Sequence, residues 1–231
     1  MGEQSERYET LMMAAYVRGT LKGCGEALFT AQLDALTAAD CAALLKQGKA
    51  AGLKVHYFKK RDELPRVKKV MGFLKAVQPE NLLDVGSGRG VFLFPFLREF
   101  PRVPVTSVDI LDHRVAVLNA LRTGGIDTLT ALKSDITRWD APDGSFDVVT
   151  LLEVLEHIPD VQAAVTNAVR LARRYVVVTV PSRPDDNPEH IHLLTRPVLT
   201  ELFTNAGCKT LQFDGVLNHL FLTAKVERNT P

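Results

Sequence analysis

Three cysteines, Cys24, Cys41 and Cys208, are all that the 231 residues provide, and they lie far apart. They cannot build a disulfide framework or a zinc knuckle, which suits a reducing cytosol. No apolar run is long enough to cross a bilayer. The most apolar stretches, 91–97 and 175–180, fall far short of the roughly 18 residues a span needs. No excess of charge of one sign exists either: the formal net charge is +1, so bulk charge does not announce a nucleic-acid binder. The opening Met1-Gly2-Glu3-Gln4-Ser5-Glu6 is polar and acidic, which predicts no signal peptide, and Glu6 stands where a myristoylation pattern wants Ser or Thr. A cytoplasmic protein with no membrane partner is expected. With 46% hydrophobic and 24% charged residues, the chain has enough apolar material to bury a core and is not a disordered tract.

The pattern changes along the chain. Residues 1 to about 78 read as helical. Apolar residues recur at helical intervals over 6–17, glycines at 19, 23 and 25 break the pattern, Thr37 reads as the N-cap of a helix running toward Gly48 or Gly52, and Pro65 opens another that continues to Val77. Cys24, Cys41, Met12 and Met13 read as core residues. From Asn81, short β-branched runs alternate with helical ones. Strands are expected at 81–85, 104–109, 128–131, 146–152, 175–180, 209–213 and 219–226, and helices at 90–100, 112–123, 161–172 and 196–206. Such alternation means βαβ units and a parallel sheet covered on both faces. Only residues 214–218 separate the last two strands, too few for a crossover helix, so they should form an antiparallel hairpin.

Leu82-Leu83-Asp84-Val85-Gly86-Ser87-Gly88-Arg89-Gly90 carries most of the chemistry. A buried strand runs into a glycine turn and then a helix, whose free N–H groups and positive dipole end face any ligand. The spacing is G-x-G-x-G. Val91 stands where a dinucleotide fingerprint has its third glycine, so a nicotinamide dehydrogenase is disfavoured. Asp84 would repel a phosphate but suits a cation such as an α-ammonium group. Asp109, at the end of the second strand, can accept both hydroxyls of a ribose. Asp135, beyond the third strand, can take an amino proton from an adenine edge. Each alone could be a turn acid. In this order, at these strand ends, they point to an adenosine ligand with a cationic tail.

These residues, with Ser134-Asp135-Ile136 and with Phe146-Asp147-Val148-Val149 leading into Glu153-Val154-Leu155-Glu156-His157-Ile158-Pro159-Asp160, resemble the class I S-adenosylmethionine-dependent methyltransferases. The resemblance covers residues of about 54–227. It implies a Rossmann-like α/β fold, with a seven-stranded, mostly parallel sheet, an antiparallel C-terminal hairpin and helices on both faces. It divides the chain into an N-terminal helical extension, 1–53, and a methyltransferase domain, 54–231. In that fold such extensions form lids or dimer contacts, here over the substrate side of the pocket. By the same resemblance Gly86, Ser87, Gly88 and Gly90 would wrap the methionine end of the cofactor. Asp109 and Ile110 would hold the ribose side, Asp135 and Ile136 would flank the adenine, and Leu152 and Glu153 would line the floor beneath the sulfonium.

Glu153, Glu156 and His157 follow the fourth strand at the carboxyl edge of the sheet. If that segment is helical, the i, i+3, i+4 spacing puts all three on one face. With His190 from the segment after the fifth strand, they could hold Mg²⁺ or Mn²⁺. Alternatively His157 or His190 could act as a general base, or Glu156 and His157 could simply anchor a turn. The cluster resembles that of the small-RNA 3′-terminal ribose 2′-O-methyltransferases, with His190, Thr195 and Arg196 matching their later element but without its usual Glu-Trp. It equally resembles the ubiquinone-pathway O-methyltransferases. No amine motif or catalytic cysteine follows the fourth strand, so the acceptor reads as an oxygen, of either a small molecule or RNA. A non-catalytic cofactor-binding regulator is the alternative outside enzymes.

Residues 54–69 carry a local net charge of +5 from Lys54, Lys59, Lys60, Arg61, Arg66, Lys68 and Lys69 against Asp62 and Glu63, interleaved with His56, Tyr57 and Phe58. That composition suits single-stranded RNA. It equally describes a solvated helix face with Tyr57 and Phe58 covering the cofactor pocket, which is the favoured reading. Arg66 or Lys59 could then meet the cofactor carboxylate.

Overall fold

A computed structural model of the chain describes residues 3–21, 27–58 and 64–228. Cys24, the glycines at 23 and 25, and the basic run Lys59–Arg61 lie outside the described residues, as do the side chains of His56 and Tyr57.

The helical first third forms as its local signals dictate. α1 spans Glu3–Leu21, α2 is the single turn Ala27–Thr30 and α3 spans Ala38–Ala50. Thr37 caps α3 through a reciprocal box: its hydroxyl accepts from the Asp40 N–H, and the Asp40 carboxylate accepts from the Thr37 N–H at 2.9 Å. α4, Pro65–Val77, begins with its proline in the first turn and ends at Gln78, which takes a left-handed conformation.

Seven strands follow: β1 Leu82–Val85, β2 Val105–Asp109, β3 Leu129–Lys133, β4 Phe146–Leu152, β5 Ala172–Pro181, β6 Thr210–Val216 and β7 His219–Lys225. The helices between them are α5 Leu93–Glu99, α6 Asp112–Thr123, α7 Val161–Leu171 and α8 Arg196–Asn205. The sheet order is β3-β2-β1-β4-β5-β7-β6. β1 to β5 are parallel neighbours, and β7 runs antiparallel to both β5 and β6. The expected Rossmann-like sheet and terminal hairpin are present, with the hairpin's second strand inserted beside β5. The helix expected at 90–100 begins only at Leu93, because Gly90 holds φ at +71° and keeps the chain in a turn. β5 is longer than expected at both ends.

All four residues of β1 are buried, as befits a strand covered on both faces. One core lies between the sheet and α4, α5 and α6, around Leu74, Phe96 and Leu121. The other lies between the sheet and α7 and α8, around Val165, Ala168 and Phe203. α1 contributes Met12 and Ala15 to the first core, while Ala14 and Val17 face Cys41 and Leu44 of α3. α1 and α6 approach at Gly19 and Gly124, where a Cβ would fall 1.7 Å from Ala120 O and 1.8 Å from Ala15 O. Cys41 and Cys208 are buried free thiols. At the far edge from the ligand loops, Asp147 is a structural hub: it accepts from the Glu80 N–H at 3.1 Å, Arg173 at 3.0 Å and Arg174 at 2.8 Å. Among the described residues no helix is long and apolar enough to cross a membrane.

Candidate active site

The carboxyl ends of β1, β4 and β5 frame a cavity of about 170 Å³. Asp84, Gly86, Ser87, Gly88, Leu152 and Glu153 line it, as expected, and Arg66, Val67 and Val70 of α4 face them. Gly86 and Gly90 have φ of +64° and +71°. A Cβ on Gly90 would fall 2.3 Å from the Phe94 ring, and one on Gly86 2.8 Å from Val154. The turn therefore needs glycine both for its backbone and for space. Phe94 in turn packs against Phe58 with ring centroids 5.2 Å apart, and Phe58 against Tyr16 at 5.1 Å, both pairs tilted. Phe58 is thus a buried strut between the N-terminal helix and the glycine turn, and is not available to stack on a base.

Asp84 is 2% exposed and accepts from the Ser87 hydroxyl and from Thr150 Oγ1 at 2.7 Å. Thr150 stands opposite Asp84 in the β1–β4 register, and Ser87 also bonds Ser107 of β2 at 2.6 Å. Burial pushes the Asp84 carboxyl up to about 6; the two hydroxyl bonds act against this and the nearby Asp109 charge adds to it. A carboxylate that ionises near pH 6 beside a cationic ligand gives a signed expectation. The ligand favours the ionised form, which rises from about a tenth of molecules at pH 5 to about nine tenths at pH 7. Affinity for S-adenosylhomocysteine should therefore rise across that range, and Asp84→Asn should remove the slope; calorimetric titrations at several pH values check both.

Asp109 ends β2, with one carboxylate oxygen accepting from the Leu111 N–H at 2.9 Å. Ile110 beside it is 63% exposed, and neither residue is among those that line the cavity. Asp135 forms a turn, accepting from the Thr137 N–H at 3.0 Å and hydroxyl at 2.8 Å, and these bonds hold its carboxyl below the usual range. Ile136 turns its side chain into the second core, and its carbonyl accepts from Asn167 at 2.7 Å. It can face an adenine only through its backbone N–H.

The Glu-x-x-Glu-His segment is not one helical face. Glu153 has φ of +57°, its N–H donates to Thr179 O at 2.9 Å, and only Leu155–His157 make a tight turn. The reversal sends Glu153 toward His219, whose Nε2 lies 2.9 Å from its Oε2. Glu156, His157 and His190 come together instead, with one ligand atom from each within 4.8 Å of the others. His157 Nδ1 is 2.9 Å from the Glu189 carbonyl, which can only accept, so Nδ1 carries the proton and Nε2 keeps its lone pair. His190 Nδ1 is 2.8 Å from Asp185, and its Nε2 lies 4.0 Å from Glu156 Oε1. Glu156 is 1% exposed and neither of its oxygens has a hydrogen-bond partner. Burial pushes its carboxyl up to about 8. Asp185, Thr150, Thr179 and His219 carry no motif; only strand pairing and the loop after β5 bring them to the site.

Over residues 57–212 the sequence matches a family described as "Methyltransferase domain". The chain belongs to this family. Its methyltransferase fold is shared with solved structures at low identity. A SAM dependent methyltransferase from Aquifex aeolicus superposes with a TM-score of 0.58 at 19% identity, covering 73% of this chain and 94% of that one. The methyltransferase domain of bacterial CtHen1-C gives 0.59 at 18% identity, covering 71% and 98%. A [4+2]-cyclase, SpnF, also superposes, at 0.54 and 18% identity over 63% of this chain and 74% of its own, so the fold alone does not fix the reaction. Among sequences, a ubiquinone biosynthesis O-methyltransferase of Paramagnetospirillum magneticum is 40% identical over 91 residues. That match spans 38% of this methyltransferase chain and 34% of the relative. One from Pectobacterium atrosepticum is 34% identical over 95 residues, 41% of this chain and 39% of its own. The chain thus matches only a third to two fifths of the length of these curated relatives.

Proposed function

We propose that the protein transfers the methyl group of S-adenosylmethionine to a hydroxyl oxygen of a small acceptor. The observation that carries this reading is the cavity at the strand ends, lined by the left-handed glycine turn and the buried Asp84 carboxylate, with Asp109 at the end of the neighbouring strand β2 outside its lining. Gly86, Ser87, Gly88 and Gly90 would wrap the methionine end and Asp84 would face the ammonium group. Arg66, which lines the cavity, would meet the carboxylate. Asp109 would hold the ribose, with the open face of Ile110 against the nucleoside. Methyl transfer from a sulfonium is an in-line displacement, so these residues contribute mainly by positioning. An oxygen acceptor agrees with the names of the relatives and with the carboxylate–imidazole trio beside the cavity.

The trio fits a divalent cation. Glu156 offers two oxygens that nothing else satisfies, and both imidazoles present an Nε2 while their Nδ1 protons are held by Glu189 O and Asp185. Two imidazoles among three ligands suit Mn²⁺ better than Mg²⁺, which favours oxygen shells. When bound, the cation would polarise an acceptor hydroxyl and lower its pKa. Glu153 stands outside this set, paired with His219. If no cation binds, His157 or His190 is the candidate base, His190 with its Nε2 4.0 Å from Glu156 Oε1.

Of the basic segment, Lys69 is paired with Asp214, Arg66 lines the cavity and Phe58 is buried, which favours a small acceptor over RNA. Reducing conditions suit the scattered thiols, so the reading places the enzyme in the cytoplasm. The test is transfer of radiolabelled methyl from S-adenosylmethionine to a panel of phenols and sugars, beside single-stranded RNA, at ~50 and ~200 mM salt. Transfer to a small hydroxyl with little salt dependence is expected. RNA methylation that collapses at the higher salt would overturn the small-acceptor reading. Tight cofactor binding with no transfer to any of them would point to the regulator.

A further inference from the structure

Glu153 Oε1 and Thr179 Oγ1 share an unusual state. Both are buried, neither has a hydrogen-bond partner, and both residues line the cavity. Thr179 is 1% exposed, so no bulk water meets its hydroxyl. A buried polar atom without a partner is costly, and one that lines a ligand cavity is normally satisfied by the ligand. The two are neighbours by construction: Leu152 pairs with Thr179 across β4 and β5, and the Glu153 N–H donates to Thr179 O. Their other contacts are already assigned. Glu153 Oε2 is taken by His219 Nε2, and His219 opens β7 opposite Pro181, two residues beyond Thr179 on β5. The left-handed backbone at Glu153 aims its carboxylate at this corner, away from the Glu156 trio.

From this geometry, and resting on the methyltransferase reading above, we infer that Glu153 and Thr179 form a hydrogen-bonding subsite for a hydroxyl of the acceptor distinct from the one that would be activated at the Glu156 trio. His219 is the positioning residue that holds Glu153 there. A carboxylate oxygen accepts a proton that only a donor can supply, so the subsite selects a neutral group bearing O–H and disfavours an anion or an ether. The Thr179 hydroxyl can donate to the same oxygen as it binds. His219 fixes the rotamer through Oε2 and leaves Oε1 for the acceptor.

Phenol and anisole serve as probes, alike in shape but for the donor. The full chain, saturated with S-adenosylhomocysteine, is titrated with each and followed through its amide and histidine ring resonances. Phenol is expected to shift the Thr179 amide and the His219 ring in a saturable way, and anisole to bind at least about tenfold more weakly. Thr179→Val and His219→Leu should each weaken phenol about tenfold while cofactor affinity stays within about threefold. His219→Gln, whose amide can still donate to Oε2, should keep phenol binding. Equal binding of phenol and anisole, or phenol shifts that ignore all three variants, would overturn the subsite. A loss of cofactor affinity matching the loss of phenol would assign the corner to the cofactor and overturn it as well. Equal weakening by His219→Gln and His219→Leu would overturn the positioning role. Failure of the wild-type chain to bind S-adenosylhomocysteine would overturn the methyltransferase reading, and this subsite with it.

Discussion

Replacing Asp109 by alanine is expected to weaken S-adenosylhomocysteine binding about 100-fold, because two hydrogen bonds from ribose hydroxyls to a charged acceptor are lost at about 1.5 kcal/mol each. The position supports a large effect. Asp109 is 8% exposed at the end of β2, and one of its oxygens is already oriented by the Leu111 N–H. It therefore meets a ligand without first having to be ordered. Gly86→Arg should abolish binding altogether. Its φ of +64° is one that side chains rarely adopt, and even a Cβ would press on Val154. Calorimetry measures both. Thermal unfolding without ligand separates loss of binding from loss of fold, since Asp109→Ala removes a buried carboxylate with a single hydrogen bond, from the Leu111 N–H, and should unfold near the wild-type temperature. Unchanged affinity in both variants would remove the cofactor site from this cavity.

The second large effect concerns Glu156. Mn²⁺ titrated into the protein saturated with S-adenosylhomocysteine is expected to bind one ion per chain, and Glu156→Ala should reduce that affinity beyond detection. His190→Ala should reduce it about 10- to 100-fold. The buried carboxylate supplies the charge that a cation needs, and without it two imidazoles remain. The pH dependence follows from the same burial. The Glu156 carboxyl, pushed up to about 8, holds a proton at pH 6 that a cation must displace. Affinity should therefore rise from pH 6 to pH 8, with release of a proton that calorimetry in buffers of different ionisation heat will register. Absence of binding at any pH would leave His157 or His190 as a base and Glu156 as a buried neutral acid.

Much of this protein is written locally in its residues. The strand and helix pattern from Asn81 onward follows from the alternation of β-branched runs with helical spacing, and each expected strand is found within a few residues of its place. Thr37 with Asp40 and Pro65 set helix starts because capping uses neighbours in the chain. Asp84, Gly86 and Gly88 could be assigned to the cavity because a glycine turn after a buried strand has only one place in this fold. Where a local rule depended on the conformation of a single residue, it failed. The spacing of Glu153, Glu156 and His157 would align them on a helix, but Glu153 adopts a left-handed conformation and turns to β7. Ile136, adjacent to a site acid, is claimed by the core between the sheet and α7.

What only the tertiary structure decided are the pairings across distant strands. The sequence by itself determined the fold class, the glycine turn and the candidate acids, since those depend on periodicity and on short-range turn chemistry. Thr150 lies beneath Asp84 because β1 and β4 are in register. His219 reaches Glu153 because β7 inserts beside β5, and His190 reaches Glu156 because the segment after β5 folds back, with the Ile191 N–H donating to Glu156 O. None of these has a spacing that a linear pattern can carry, because strand order and loop return are set by the burial of whole faces.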